Sequence, residues 1–344
     1  MLNFRPYPHP RKFSEPHVGP ESRAVRCLSD TGAVIVSHRR ADLARACAER
    51  VLKEIDGRSI VVVVNAPNDA MAPDLDWLAA NVGVLVRNKD LRGYGANVNE
   101  GVRRMPRGLD YYLLTNDDVL LERGAITALR DTLENEPTTA IAGPRLVGVT
   151  GETQQSVYRF PSISSEVASA VILPARFHRW LSMKFMLARD TRGEAFRNGW
   201  LVGAALLVRA AAFNQVDGFD EQFFMYSEET DLSFRLSSLG WAARLCEGIS
   251  AVHFGGESTV GRRYRRMLGV SKGKYVLKHW PKRNRVMLRV ALTGTYGWNS
   301  VYVLCRILLD PRSLRAKTSL WKAHWATRPY SSRRPRHARR AANV

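Results

Sequence analysis

The chain of 344 residues lacks close cysteine pairs, a secretory signal and a long uninterrupted apolar run, any of which would indicate its protein class directly. Its four cysteines are scattered, with no close pair of the kind that makes zinc or redox motifs, so they are predicted to be reduced core thiols of a cytoplasmic protein. The N-terminus lacks an apolar stretch after its basic residues, which argues against a secretory signal. Val286 to Leu309 is the most apolar stretch near the C-terminus, but two arginines and an asparagine interrupt it, so a spanning helix is not expected.

Acidic residues are almost absent from the last quarter of the chain. From Ser258 to Val344 there are 22 lysines and arginines but one acid, Asp310, while the whole chain has a formal charge of +20. The rest is therefore nearly neutral. A neutral body with a basic tail is typical of an enzyme held near lipid headgroups or a polyanion, and not of a protein that contacts nucleic acid along its length. Tail aromatics such as Trp298 and Trp321 favour a membrane-surface segment, and a solvated face is the alternative.

Composition suggests three regions. The first 30 residues carry five prolines and little periodicity, which predicts an N-terminal extension. Residues 31–257 have the length of a large globular domain, and the 45% hydrophobic content of the whole chain is typical of a globular protein. Residues 258–344 are predicted to be a basic, mostly helical segment with a disordered end.

Short apolar runs alternate with helical patterns in the first half of the main region. Runs typical of buried strands begin at Ala33, Ile60, Val82 and Tyr111, with amphipathic spacing between them. This alternation predicts an α/β fold with a Rossmann-like, mostly parallel sheet flanked by helices. Further along, apolar groups between residues 167 and 185 predict a packed helical pair or, alternatively, a surface that faces a membrane or a substrate. Residues 200–208 predict another strand.

Polar residues follow three of the predicted strands. Ser37, His38 and Arg39 come after the first, Asn65 after the second, and the acidic turn Asn116-Asp117-Asp118 after the fourth. Ligands of such sheets bind outside the carboxyl ends of the strands, so these three turns are expected to share one rim.

The acidic turn itself has two explanations. Adjacent carboxylates after a buried strand repel each other and lose hydration, so a divalent cation bridging to a diphosphate would stabilise them. Alternatively, an aspartate near the following helix could act as its N-cap.

Two further groups could carry chemistry. Glu228, Glu229 and Asp231 begin a helix, where acids complement the helix dipole. They follow an aromatic run, however, and apolar walls would raise a carboxylate pKa toward that of a general base. His253 ends a predicted strand before two glycines; it is either a packed residue or a ligand.

The order of these features resembles family 2 glycosyltransferases of the GT-A fold, especially bacterial rhamnosyltransferase-like members. The resemblance covers about residues 31–256, with a nucleotide-binding half of about 31–145 and an acceptor half of about 146–257. The matching segments are VIVSHRRADLARAC, LRGYGANVNEG, YYLLTNDDV, GPRLVGVTGETQQS, RFPS, NGWLVGAALLVRAAAFNQVDGFDEQFFMYSEETDLSFRLSSLGW and AVHFGG.

The resemblance implies a role for each matching residue. Asp118 would bind Mn²⁺ or Mg²⁺ together with His253, and Asp117 would contact the metal or the ribose. Glu229 would be the catalytic base, a role that Glu228 could exchange with it, and Asp231, grouped with these acids, would orient the helix and the acceptor. The remaining implied contacts are with the nucleotide sugar (Ser37, His38, Arg39, Asn65, Arg92, Gly93, Asn97, Asn116) and with the acceptor (Trp200, Gly203).

The reaction implied by the resemblance is inverting transfer of a sugar, rhamnose or another hexose, from a UDP- or dTDP-linked donor. The acceptor would be a glycan or a lipid-linked glycan of the cell envelope, at the inner face of the plasma membrane. Family members often have Val-Asp-Asn after the second strand, whereas this chain has Val63-Val64-Asn65, which leaves the nucleobase open. The alternatives are a nucleic-acid-binding protein that uses the basic tail and an inactive scaffold of the same fold.

Overall fold

The computed structural model describes residues 27–186, 194–255 and 262–309. Most of the predicted N-terminal extension and the end of the basic tail therefore lie outside the described residues. The main domain begins slightly earlier than predicted, because Leu28 is buried and its N–H donates to the carbonyl of Glu54 at 2.7 Å. Asp30 is also part of the domain through its ion pair with Arg130 at 2.6 Å.

A sheet of eight strands and a two-stranded sheet form the centre of the described structure. The strands are β1 (Thr31–His38), β2 (Ile60–Asn65), β3 (Val84–Asn88), β4 (Tyr111–Asn116), β5 (Val119–Leu121), β6 (Thr139–Val147), β7 (Val157–Arg159), β8 (Gly199–Leu201), β9 (Ala205–Arg209) and β10 (Ala242–His253). The helices are α1 (Ala41–Val51), α2 (Ala72–Asn81), α3 (Tyr94–Arg104), α4 (Ala125–Asn135), α5 (Ile163–Ala170), α6 (Ala175–Phe185), α7 (Ala210–Gln215), α8 (Glu228–Ser238), α9 (Arg262–His279) and α10 (Lys282–Leu309).

The larger sheet is mostly parallel, as predicted. Its order is β3-β2-β1-β4-β9-β6-β10-β5, with β9 antiparallel to both neighbours and β5 antiparallel to β10. Helices α1, α2 and α3 connect the four parallel strands β1 to β4. These strands therefore end at one edge, which places the three polar turns together.

Both faces of the larger sheet are covered. Along β1, Ala33 and Ile35 belong to one apolar cluster, and Val34 and Val36 belong to the cluster on the opposite face. Burial on both sides explains why these strands are continuous apolar runs without alternation. Val64 is fully buried in the first cluster, so its side chain faces the core.

The structure corrects two predicted elements. The apolar run 200–208 forms two strands, because β8 pairs with β7 in the small sheet whereas β9 inserts between β4 and β6. The helical pair at 167–185 is present, but residues 171–173 are not helical, since Pro174 disfavours helix in the residue before it. Leu239 is exposed after the end of α8.

The predicted C-terminal helices are present as α9 and α10. They share a small apolar cluster with the domain, made by Phe223, Tyr275 and Leu288 among others. Asn299 of α10 accepts from the N–H of Ile172 at 2.7 Å and donates to the carbonyl of Ala170 at 2.8 Å. Within the described residues, no helix is both long and apolar enough to cross a membrane.

Cys27, Cys47 and Cys246 are free, as predicted. Cys47 and Cys246 are buried in the core, whereas Cys27 is exposed and is therefore not the core thiol that was expected.

Candidate active site

The carboxyl ends of β1, β2 and β4 form one rim, as the strand order predicted. His38 is in register with Asn65, and the N–H of Arg39 donates to the Asn65 carbonyl at 3.2 Å. Arg39 and Ala66, which directly follow the two strands, have left-handed backbones with φ of 57° and 49°. Such backbones are costly for residues other than glycine, and they occur where a chain must turn sharply at a ligand-facing edge.

The acidic turn connects β4 to β5 on this rim. It does not cap a helix, because α4 begins after Gly124 and has no side-chain cap. Asp117 accepts a hydrogen bond from the Ser37 hydroxyl at 2.6 Å. Burial, followed by the charge of neighbouring Asp118, raises the pKa of Asp117 to about 8. The turn therefore holds two carboxylates that strongly disfavour full ionisation unless a positive charge joins them.

His253 faces the acidic turn from the end of β10. Its Nε2 lies 3.6 Å from Asp118 Oδ2, and the N–H of Phe254 donates to the Asp118 carbonyl at 3.0 Å. Gln154 fixes the imidazole: Gln154 Nε2 donates to the His253 carbonyl at 3.0 Å, which turns Oε1 toward His253 Nδ1 at 2.8 Å. An acceptor at Nδ1 places the proton on that nitrogen, so a neutral His253 presents the Nε2 lone pair to Asp118.

Asp118 and His253 suit a divalent cation. Asp118 Oδ1 is buried without a hydrogen-bond partner, and two lone-pair atoms face each other across 3.6 Å. Among the described residues, however, no three His, Cys, Asp or Glu side chains converge as a complete set of ligands. Two protein ligands with the rest from substrate and water is the usual arrangement for Mg²⁺ at a diphosphate. The other predicted metal ligand, Asp117, accepts a hydrogen bond from the Ser37 hydroxyl.

Glu228 and Glu229 form a second carboxylate pair at the start of α8. Each has an Oε2 atom that is buried without a hydrogen-bond partner. Burial, then the charge of Glu229, raises the pKa of Glu228 well above its ordinary value, whereas burial raises that of Glu229 to about 7. Glu229 is therefore the first of the two to ionise. It is also the more accessible, because Glu228 is only 6% exposed.

The backbone before α8 is strained. Tyr226 and Ser227 both have φ of 68°, and Ser227, the residue at the N-cap position, makes no side-chain cap. Each left-handed residue of this kind costs about 1–3 kcal/mol. These two strained residues directly precede Glu228 and Glu229, so the strained backbone sets the direction in which the glutamates enter the site.

Tyr94 and Gly203 connect the glutamates to the acidic turn. A Cβ on Gly203 would lie 3.3 Å from the Cβ of Glu229, so the absence of a side chain lets the glutamate lie against this turn. The Tyr94 hydroxyl donates to the Gly203 carbonyl at 3.2 Å. Burial, then the charges of Glu228, Glu229 and Asp118, raises the Tyr94 pKa.

Asp231 has a different place from the glutamates. Its side chain is fully buried; Oδ2 accepts from Arg235 at 2.7 Å, and Oδ1 lies 2.7 Å from both His279 Nε2 and Lys278 Nζ. A carboxylate enclosed in this way cannot reach a substrate, so its grouping with the catalytic acids is corrected. It holds α8 against α9, which agrees with the orienting role that was expected.

The other predicted donor-side residues pack close to the rim. Asn65 and Asn97 are buried, and each donates to the Arg92 carbonyl at 3.3 Å. Close packing explains why residue 93 is a glycine, because a Cβ there would lie 2.6 Å from the Phe224 carbonyl oxygen. Asn116 donates its N–H to the Ala204 carbonyl at 2.9 Å, and this bond fastens the acidic turn to the turn before β9.

Trp200 lies on the small sheet, away from the parallel strands. Its ring stacks on Tyr158 with centroids 5.0 Å apart, and its indole N–H donates to the Arg159 carbonyl at 3.2 Å. Three residues later the chain reaches Gly203 beside Glu229, so the small sheet borders the acid pair, as expected of an acceptor side.

The sequence interpretation did not single out Tyr94 or Gln154. Both lie inside segments that carried the resemblance, GYGAN and ETQQS, but a tyrosine before glycine or a glutamine between polar residues has no signature of its own. Only the folded chain shows that Gln154 orients His253 and that the Tyr94 hydroxyl bonds the turn at Gly203, beside Glu229.

Comparison with known proteins gives consistent matches. The model of "Glycosyl transferase family group 2" matches residues 156–327. An N-acetylglucosaminyl-diphospho-decaprenol L-rhamnosyltransferase of Mycobacterium tuberculosis is 31% identical over an alignment of 213 residues that covers 58% of this chain and 68% of that protein. Rhamnosyltransferase WbbL of Escherichia coli is 25% identical over an alignment of 236 residues that covers 64% of this chain and 82% of that protein.

Among solved structures, the chain is similar to the mannosyltransferase PcManGT of Pyrobaculum calidifontis, solved in complex with GDP-Man and Mn²⁺. The TM-score is 0.54 at 12% identity, with 92% of this chain and 90% of that chain covered. At this identity the likeness concerns the fold alone.

Proposed function

The chain belongs to glycosyltransferase family 2 and has the GT-A fold, and from this premise we propose that it is an inverting, metal-assisted L-rhamnosyltransferase. The observation that carries the proposal is the clustering of unpaired carboxylate oxygens on Asp118, Glu228 and Glu229 at the carboxyl edge of the sheet. A buried carboxylate without a partner is costly, and in an enzyme that cost is accepted where a substrate or cation completes the site.

On the donor side, Asp118 and His253 would hold Mn²⁺ or Mg²⁺, which supplies positive charge against the diphosphate of a sugar nucleotide. Gln154 keeps His253 in the tautomer that a metal ligand needs. Asp117, held by Ser37, faces the ribose side of the same turn. The rim residues Arg39 and Asn65 border the space for the nucleotide.

On the acceptor side, Glu229 would remove the proton from the acceptor hydroxyl while the sugar carbon is attacked from the face opposite the diphosphate. A pKa of about 7 suits this role, because about half of the carboxylate is ionised at neutral pH and the ionised form is basic enough to take a proton. Glu228, whose pKa is higher and whose side chain is less accessible, would remain protonated beside it. A single displacement of this kind inverts the anomeric centre.

The substrate classes come from the relatives. The mycobacterial relative is named for L-rhamnose transfer to N-acetylglucosaminyl-diphospho-decaprenol. We therefore assign to this chain a UDP- or dTDP-linked donor, with dTDP-rhamnose first in order, and a lipid-linked glycan acceptor of the cell envelope, used at the cytoplasmic face of the membrane.

The deciding experiment is a transfer assay with a panel of sugar nucleotides, a polyprenyl-diphosphate N-acetylglucosamine acceptor, and Mn²⁺, Mg²⁺ or a chelator. We expect dTDP-rhamnose to be consumed, an inverted linkage in the product, and loss of activity with the chelator. Asp118→Ala should remove the metal-stimulated binding of donor, and Glu247→Gln, an exposed glutamate on β10, is the matched control. Transfer of a different sugar would correct the donor, and no transfer or donor hydrolysis under any condition would refute the proposal.

A further inference from the structure

Exposed apolar side chains are concentrated on two helices outside the catalytic site. Of 14 large apolar side chains that are exposed in the described residues, eight belong to α6 and α10. They are Phe177, Trp180 and Met183 on α6, and Val286, Met287, Val290, Trp298 and Val301 on α10. These eight residues are called the α6–α10 surface below. Such concentration marks an interaction site and not the scattered exposure that is normal for a soluble surface.

On α10 the exposed side chains form a stripe at helical spacing. Leu288, Leu292 and Asn299 are buried on one side of the helix, whereas Val290, Trp298 and Val301 are exposed on another. The buried side faces α5 through the two hydrogen bonds of Asn299. Since one apolar stripe suffices to pack a helix on its domain, the second stripe requires another partner.

Helix α6 is anchored even more lightly. None of its residues is fully buried, and its large apolar side chains Trp180 and Met183 are each 56% exposed. Its sequence contains Arg176, Arg179 and Lys184 and no acid. The Lys184 ammonium lies 5.0 Å from the Trp180 ring centroid, so a cation and an amphipathic ring are presented at the same place.

Charge identifies the partner. The described residues 163–186 and 262–302 contain one acid, Glu166, which is buried and paired with Lys272 at 3.0 Å. Every exposed ionised side chain of these stretches is therefore positive. Basic side chains meet anionic headgroups while Trp, Phe, Met and Val enter the boundary with the acyl chains. A surface that is both positively charged and apolar suits an anionic bilayer better than a protein partner. In a bilayer the charged headgroups lie directly above the hydrocarbon of the acyl chains, an arrangement that a protein interface does not offer.

We propose that the α6–α10 surface docks the protein onto an anionic lipid bilayer. The location of α6 determines which side of the active site would face the membrane. The carbonyl of Met186, at the end of α6, accepts from the N–H of Arg159 at 3.0 Å, and Arg159 in β7 pairs with Gly199 of β8. The chain then continues from β8 to Gly203 beside Glu229. Docking through α6 thus brings the acceptor side of the site, and not the nucleotide side, toward the membrane.

The docking corrects the earlier view of the tail. Tyr275, an aromatic residue of the tail, is buried in the cluster shared with Phe223, whereas Trp298 is exposed on the α6–α10 surface, as expected of a lipid-facing residue. Trp321 lies outside the described residues. Helix α6, which belongs to the catalytic domain, contributes the rest of the α6–α10 surface. The composition of the tail alone did not predict this contribution.

The inference deepens the proposed function, since it explains how a lipid-linked acceptor is reached, but its test needs neither donor nor acceptor. The full chain is mixed with phosphatidylcholine vesicles that contain no or about one third phosphatidylglycerol, and bound protein is measured by flotation. The test variant combines Phe177→Ser, Trp180→Ser and Met183→Ser. The matched control combines Leu91→Ser, Val149→Ser and Leu239→Ser, which are exposed apolar residues elsewhere.

We expect binding to anionic vesicles, at least a tenfold lower partition coefficient for the α6 variant, equivalent to about 1.4 kcal/mol, and a change of less than about twofold for the control. Trp180→Phe is a milder substitution, so it keeps the proposal testable even if the triple variant folds poorly. It should keep binding but reduce the quenching of tryptophan fluorescence by brominated lipids.

Several results would overturn the proposal. Absence of vesicle binding would do so, as would equal binding by the α6 variant, or unchanged quenching in Trp180→Phe. Self-association of the full chain in sedimentation, abolished by the α6 variant, would instead assign the surface to a second copy. Vesicle binding without any sugar transfer would support the docking and refute the proposed function, so the two failures are distinguishable.

Discussion

Replacing Glu229 by glutamine should stop turnover and stabilise the fold at the same time. The substitution keeps the shape of the side chain but removes its charge. If Glu229 is the base, the acceptor proton has no destination, and kcat should fall by about 10²–10⁴-fold while donor binding is retained. The same change removes a buried carboxylate whose Oε2 has no hydrogen-bond partner.

The size of the stabilisation follows from the pKa. Burial raises the pKa of Glu229 from 4.5 to about 7, and one pKa unit corresponds to about 1.36 kcal/mol. Ionised Glu229 therefore costs the folded state about 3 kcal/mol. Because the folded-state pKa is raised, the cost is complete above about pH 7 and absent below the ordinary value, where both states are protonated. The gain on substitution should be largest near pH 8 and vanish as the pH falls toward 4.5.

Urea unfolding at pH 8 and pH 5 measures this difference, and calorimetric titration with dTDP-rhamnose measures donor binding. Glu247→Gln, which removes an exposed carboxylate, should change neither stability nor kcat. Full activity of Glu229→Gln would exclude Glu229 as the base. An equal stability gain at both pH values would show that burial of the charge is not the cause.

Three other perturbations have defined outcomes. Below about pH 7 the wild-type kcat/KM should fall about tenfold per pH unit, because Glu229 becomes protonated; a flat profile down to pH 5 would contradict this. Gln154→Leu should weaken Mn²⁺ binding about 10–100-fold in calorimetry by freeing the His253 ring, and unchanged affinity would remove Gln154 from that role. Gly93→Ala should cost about 1–3 kcal/mol in urea unfolding, since its Cβ would lie 2.6 Å from a backbone oxygen of Phe224. The matched Gly294→Ala, with open space around it, should be neutral or stabilising.

Most of the parallel sheet was predictable because its signal is local. Strands buried on both faces must be apolar throughout, and the runs at Ala33, Ile60 and Tyr111 each correspond to an observed strand. The shared rim follows from the same alternation of strands and helices. The run at 200–208 has the same local appearance, but its division depends on two different pairing partners that are distant in sequence.

The acids illustrate the other limit. Glu228, Glu229 and Asp231 lie within four residues of each other, and sequence gives them the same character. Their separation into an unpaired glutamate pair and an enclosed aspartate depends on what α9 brings to the helix.

The enclosure of Asp231 has a consequence for protein engineering. The sequence suggested a boundary near residue 257, which invites exchange of the basic C-terminal segment between related enzymes. Lys278 and His279, however, are the counter-ions of a carboxylate on the helix that carries the glutamates, and the Ser271 hydroxyl donates to the carbonyl of Met225 just before that helix. A chimera joined at 257 would bring foreign counter-ions to Asp231. Transplantation should succeed only when the exchanged piece includes both sides of this contact, so the natural unit of recombination extends from about residue 219 to the end of α9.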